Sequence, residues 1–132
     1  MAAKESKMYR LTALTMFSMT VAACTQAAAA APDSSNPVHC MAAFNWGAAL
    51  AQATGQRDLE TNMVARGIYA SLPFEGGEYD RADREASEYA KVHAGERDAM
   101  TKLLAECGTA QDYDPKFKAE SSKLLEAARS VQ

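Results

Sequence analysis

No run of alternating β-branched residues occurs anywhere in the 132-residue chain, so it offers no material for a half-buried sheet. Catalytic signatures are missing as well. There is no G-x-S-x-G nucleophile elbow, no C-x-x-C-H haem attachment and no glycine-rich phosphate loop. Histidine occurs only twice, at His39 and His93, and neither has a glutamate three residues before it, as di-iron helical bundles require. Basic residues are outnumbered, 14 Lys and Arg against 17 Asp and Glu. That balance argues against nucleic acid or an anionic membrane surface as partners, since both call for a basic patch.

What is present begins with a leader. Residues 1–10 carry Lys4, Lys7 and Arg10 against Glu5, residues 11–23 (LTALTMFSMTVAA) are uncharged, and small residues follow. That is the order of a secretory signal, and export is expected. The apolar run falls short of the about 20 residues that cross a bilayer. Val21-Ala22-Ala23-Cys24 resembles the bacterial lipobox, with Val in the leading position where Leu is usual, and the resemblance implies a lipid on Cys24. Ala27-Ala28-Ala29 and Ala28-Ala29-Ala30 fit the A-x-A pattern of ordinary signal peptidase, whereas a cut after Ala31 would have to precede Pro32. We take residues 1–30 as a signal peptide, with the lipobox-like cut before Cys24 as the alternative. Either cut strips three basic residues and one acidic one, so the remainder is more acidic than the full chain's net charge of −3. Residues 31–36 read as a flexible lead-in and residues 37–130 as a single helical domain.

Ala, Leu, Met, Glu, Lys, Arg and Gln dominate that domain, a composition that forms helices. Asn36-Pro37 supplies an N-cap and a first-turn proline for a helix that runs to Gly55. It is apolar nearly all round and belongs inside a bundle. Cys40, Ala43, Phe44, Gly47, Leu50 and Ala51 share one stripe, with Gly47 admitting a close neighbour. A second helix spans about residues 58–72, halted by Pro73, with Val64, Ala65, Ile68 and Leu72 inward and Leu59, Met63 and Tyr69 beside them. After a loop at residues 73–77 comes one long helical pattern over residues 78–107, closed by Gly108. Its inner stripe is Ala82, Ala86, Tyr89, His93, Met100, Leu103 and Cys107, and Asp80–Arg84, Arg81–Glu85 and Arg84–Glu88 mark a solvated face. Asp114-Pro115 opens the last helix, with Phe117, Ser121, Leu124, Leu125 and Ala128 inward.

Cysteine counting ties these helices together. Cys24 is acylated or discarded, which leaves Cys40 and Cys107 as an even pair in a chain bound for an oxidising compartment. A disulfide between them is expected. An unbroken helix over residues 79–107 would be about 43 Å long and would carry Cys107 far from Cys40. A bridge needs Cα atoms within about 7 Å, so it goes together with a break at Ala94-Gly95. Without the bridge the helix has no need to break, since one glycine costs it only about 1 kcal/mol. The predicted fold is all-α, a small helical bundle of four or five helices clipped by Cys40–Cys107.

Candidate sites are few. His39-Cys40-Met41 has the donors of a soft-metal site, but successive helical residues point about 100° apart and cannot close on one ion, so no metal is expected. His93 lies on the inner stripe, where a hydrogen-bonded core role is the simpler assignment. A small-ligand or haem-binding bundle using His93 is the alternative function; under the broken-helix layout Met41 is expected at the opposite end from it. Glu75, Glu78 and Asp80 around the Gly76-Gly77 turn read as a solvated face. Phe74, Gly76, Gly77 and Tyr79 in the loop PFEGGEY form a possible interaction loop, unless both rings fold under it to close the bundle. Phe44, Trp46 and Leu50 would serve a holdase if the first helix loosened, although core burial accounts for them too. No catalysis and no cofactor are expected. The function that fits is an exported bacterial envelope protein acting by protein–protein interaction: chaperone-like, an inhibitor or immunity-type factor, or a structural accessory. It would be periplasmic, or anchored facing the periplasm by a lipid on Cys24.

Overall fold

The computed structural model describes residues 28–132. Cys24 and the rest of residues 1–27, which hold most of the expected signal peptide, lie outside the described residues. Five helices follow within the unit Ala31–Gln132: α1 Pro37–Ala53, α2 Arg57–Ser71, α3 Gly77–His93, α4 Arg97–Asp112 and α5 Pro115–Ser130. Among the described residues there is no strand, and the all-α bundle matches the expectation.

Local signals account for most boundaries. The Asn36 side chain accepts the Val38 N–H at 2.9 Å, with Pro37 in the first turn. At the other end of α1 the Gly55 and Gln56 N–H groups return to the Gln52 and Ala51 carbonyls, with Gly55 at φ +71°. This is a Schellman closure, and it needs the left-handed conformation that glycine adopts without strain. Asp114 caps α5 in the same way as Asn36 caps α1, accepting the Lys116 N–H at 3.0 Å ahead of Pro115. The first turn of α2 has no side-chain cap; Asp58 and Glu60 there complement the helix dipole instead.

α1 is the hub. Met41, Ala42, Ala43 and Phe44 are four successive buried residues, and they point all round the helix. It packs against α2, α3 and α4. Gly47 sits at the closest approach, where a Cβ would fall 2.6 Å from Leu104 Cδ1 and 3.2 Å from Met63 Sδ. The inward stripes of α3 and α4 are all buried as expected: Ala82, Ala86, Tyr89 and His93, then Met100, Leu103 and Cys107. A second, smaller core joins α2 to α5 through Ala65, Phe117, Leu124 and Ala128.

Cys40 and Cys107 are joined in a disulfide with Cα atoms 5.7 Å apart. The chain breaks as the bridge requires, with α3 ending at His93 and α4 starting at Arg97. Glycine's conformational freedom is not the cause. Gly95 is not among the positive-φ residues, and a Cβ there would meet no atom within 4 Å. The reversal is held by the packing of both arms on α1 and by the bridge.

Several details depart from expectation. α4 does not close at Gly108 but continues to Asp112. Its extra turn is held by Arg66, which donates to the Gly108 carbonyl (3.2 Å), Gln111 Oε1 (3.3 Å) and Asp112 Oδ1 (2.8 Å). Gln111 Nε2 donates back to the Arg66 carbonyl at 3.1 Å, and the guanidinium lies over the Phe117 ring. Arg66 thus ties α2, α4 and α5 together. Leu72 and Leu59, placed on or beside the apolar stripe of α2, are exposed. Among the described residues the charged face of α3 is exposed, but none of its three i,i+4 pairs closes into an ion pair. Just ahead of α1, residues 33–36 form a hydrogen-bonded turn in which Asn36 N–H returns to the Asp33 carbonyl at 3.1 Å.

Arg66→Met is expected to destabilise the domain by about 2 kcal/mol, since it removes charge-assisted bonds and leaves Gln111 half-satisfied indoors. Arg66→Lys should recover little, because an ammonium cannot reproduce the fork or the stack on Phe117. Urea unfolding of the two variants, followed by circular dichroism, measures both.

Candidate functional site

Most of the unusual chemistry of the described residues gathers where the first turn of α1 meets the last turns of α3. Tyr89 and His93 are four residues apart on one face of α3, so both rings project the same way. His39, in the first turn of α1, stacks on Tyr89 with ring centroids 4.1 Å apart and planes at 22°. Tyr89 and His93 lie 4.2 Å apart at 31°. All three rings are buried: 6%, 2% and 4% exposed. A single phenol is therefore the shared neighbour of the chain's only two imidazoles.

Hydrogen bonds assign the protons. The Asp33 backbone N–H donates to His39 Nδ1 at 3.0 Å, so neutral His39 carries its proton on Nε2. His93 Nδ1 lies 2.7 Å from Glu96 Oε2, so it holds a proton and donates it to that carboxylate. Burial pushes the His39 pKa below the usual histidine range, with the nearby Asp33 carboxylate pulling the other way and His93 reinforcing the depression. Burial likewise raises Tyr89, assisted by the charges of Glu96 and Asp33. Asp33 itself is held below the ordinary carboxylate range by the Ser35 hydroxyl and Ser35 N–H, both bonded to Oδ1 at 2.6 and 2.9 Å.

Beside this stack lies an open groove of about 330 Å³ floored by the disulfide and walled by Ser34, Ser35, Tyr69 and Pro73. At its far rim the Tyr69 hydroxyl donates to Asp114 Oδ2 at 2.5 Å. That bond raises the Tyr69 pKa to about 12 and lowers that of Asp114.

The candidate residues are placed as follows. Cys40 and Cys107 are bridged. The interaction loop splits: Phe74 is half-buried against the main core, whereas Tyr79 is exposed and Gly76 and Gly77 face open space. Gly76 caps α3 at φ +55°, which makes this loop tight at the glycine pair. His93 does lie inside, as its stripe position implied. The first turn of α1, which carries His39 and Met41, was expected at the end of the bundle opposite His93. Instead it lies against the last turns of α3, where His39 stacks on Tyr89. Among the described residues no three His, Cys, Asp or Glu side chains converge to hold a metal ion, and no helix is long and apolar enough to cross a membrane.

Sequence reasoning missed the pairing of His39 with Tyr89, which no local spacing encodes. Part of it was visible: Asp33-Ser34-Ser35 is an Asx-turn pattern just before an N-cap, a sign that this stretch folds back on itself. Neither the family models, nor the curated proteins, nor the solved structures contain a match to this chain.

Proposed function

We propose that the chain is an exported bacterial envelope protein that works by binding another envelope protein, as a chaperone-like, inhibitor or immunity-type factor or a structural accessory, without catalysis. The observation that carries this reading is the Cys40–Cys107 bridge in a domain preceded by a basic, apolar, then small-residue leader. A bridge of that kind persists in an oxidising compartment and would be reduced in the cytosol. The partner contact is assigned to the α2–α3 loop, where exposed Tyr79 stands beside Gly76 and Gly77. Phe74 drops out of that contact surface, because its ring helps close the core.

The test is the intact mass of native protein from membrane and periplasmic fractions, with and without reduction before alkylation. A soluble species beginning near residue 30, alkylated at Cys40 and Cys107 only after reduction, is the expected result. A membrane species beginning at Cys24 with added acyl mass would make it a lipid-anchored member of the same compartment. Cytosolic protein with an intact leader and freely alkylated thiols would overturn the proposal. A Soret band in the purified protein would replace it with the haem-binding alternative. A photo-crosslinking residue at position 79 should capture an envelope protein, and one at exposed position 126 in α5 should not.

A further inference from the structure

The turn before α1 does two things at once. Through the Asp33 N–H it is bonded to the buried ring of His39 at 3.0 Å, and through Ser34 it rests on the disulfide, the Ser34 carbonyl oxygen lying 3.3 Å from Cys40 Sγ. Ser34 and Ser35 wall the groove whose floor is Cys40 and Cys107. Under this cover Cys40 is 8% exposed and Cys107 1%. One imidazole therefore bonds the segment that walls the groove beside the bridge and rests on Cys40.

We propose that His39 is a proton-operated latch: neutral, it holds the 33–36 turn over the Cys40–Cys107 bridge, and protonated, it releases the turn and bares the bridge to small reductants.

The bond polarity makes the latch work. Nδ1 accepts from Asp33 N–H only while it carries a lone pair; protonation sets one N–H against another. Asp33 Oδ1 is already bonded to the Ser35 N–H and hydroxyl, so on the Asp33 carboxylate the new Nδ1–H has Oδ2 to turn to, and that exchange takes the ring off the Asp33 N–H. The groups facing His39 are Asp33 from the turn and Tyr89 and His93 from α3, with Glu96 behind His93. α1 has no other ionisable side chain, and among the described residues α2 and α4 add no charge to its titration. The sign follows. In the closed form burial holds the His39 pKa below the usual range, whereas released and hydrated it returns towards the ordinary value near 6.5. The open form thus binds the proton more tightly, so acid opens the latch and neutral pH closes it. Asp33, held below the normal carboxylate range, stays ionised while this happens.

The probe is a water-soluble trialkylphosphine, which remains a reductant in acid. Phosphorus attacks one sulfur, the S–S bond breaks and the departing thiolate takes a proton. Water then converts the phosphonium to phosphine oxide and frees the second thiol, so two electrons pass from phosphorus to the disulfide. The comparison is oxidised wild type against His39→Asn, whose Oδ1 accepts from Asp33 N–H in place of Nδ1 but does not titrate. Between about pH 7.5 and about pH 5 the wild-type reduction rate should rise about fivefold relative to the variant, the weight of one net hydrogen bond. A ratio that stays flat overturns the proposal. The wild type alone gives a second readout, independent of whether the variant folds. In an NMR titration the Asp33 amide must shift and lose exchange protection with the same midpoint as the His39 ring. If the ring titrates while the Asp33 amide does not move, the latch does not exist.

Discussion

Reduction of the Cys40–Cys107 bridge should lower the stability of the domain by about 4 kcal/mol, the chain-entropy value for a closed loop of this length. The two cysteines are 67 residues apart, so the loop includes all of α2 and α3 and most of both flanking helices. A domain of this size has a total stability of roughly 5–15 kcal/mol, so the loss is a large share of it. The effect should also be uneven. α1 keeps its contacts with α2 and α3 after reduction, whereas α4 is left with its packing through Met100, Leu103 and Leu104 and the Arg66 bonds to its last turn. Amide exchange in α4 should therefore accelerate before exchange in α1. Urea unfolding with and without reductant gives the total, and Cys40→Ala/Cys107→Ala gives the same quantity without reductant. A difference below about 1 kcal/mol would mean that the reduced, unfolded chain remains compact.

Phe44→Ala should be the most damaging single substitution in the core, at about 3–5 kcal/mol. Phe44 is fully buried at the middle of the main cluster, in the helix against which three others pack. The cost depends on how far the surrounding core relaxes into the cavity left behind. Leu72→Ala makes a fair control, since Leu72 is 48% exposed and its loss should cost less than about 0.5 kcal/mol. Equilibrium unfolding of both variants in oxidising buffer separates the two cases. If Phe44→Ala cost no more than Leu72→Ala, the hub role of α1 would be wrong.

The same geometry makes stability fall in acid. His39 is buried neutral, so it favours the folded state above the ordinary histidine pKa and gradually stops doing so as pH drops below it. Asp114 acts in the same direction at lower pH: its pKa is depressed by the Tyr69 hydroxyl, and its contribution disappears as the carboxylate protonates. The two steps belong to opposite sides of the groove over the bridge.

Much of this architecture was legible in residue order. Asn36-Pro37 and Asp114-Pro115 announce two helix starts, and Pro73 a stop, because caps and proline act through neighbouring backbone groups. The inner stripes of α3 and α4 followed from period 3.6 alone, and the break near Gly95 followed from the reach of a disulfide. Distant partners decided the rest. Gly108 looked like a helix end until Arg66, 42 residues away, proved to hold the turn beyond it. Phe74 and Tyr79 are equivalent in the sequence, yet only Phe74 packs against the main core while Tyr79 stays exposed. The stack of His39 on Tyr89 joins rings on α1 and α3 that no local spacing brings together. Local order determines which residues can be helical and which face is apolar. It does not determine which of several similar apolar faces meet, because that choice is made by packing between segments that the chain itself keeps far apart.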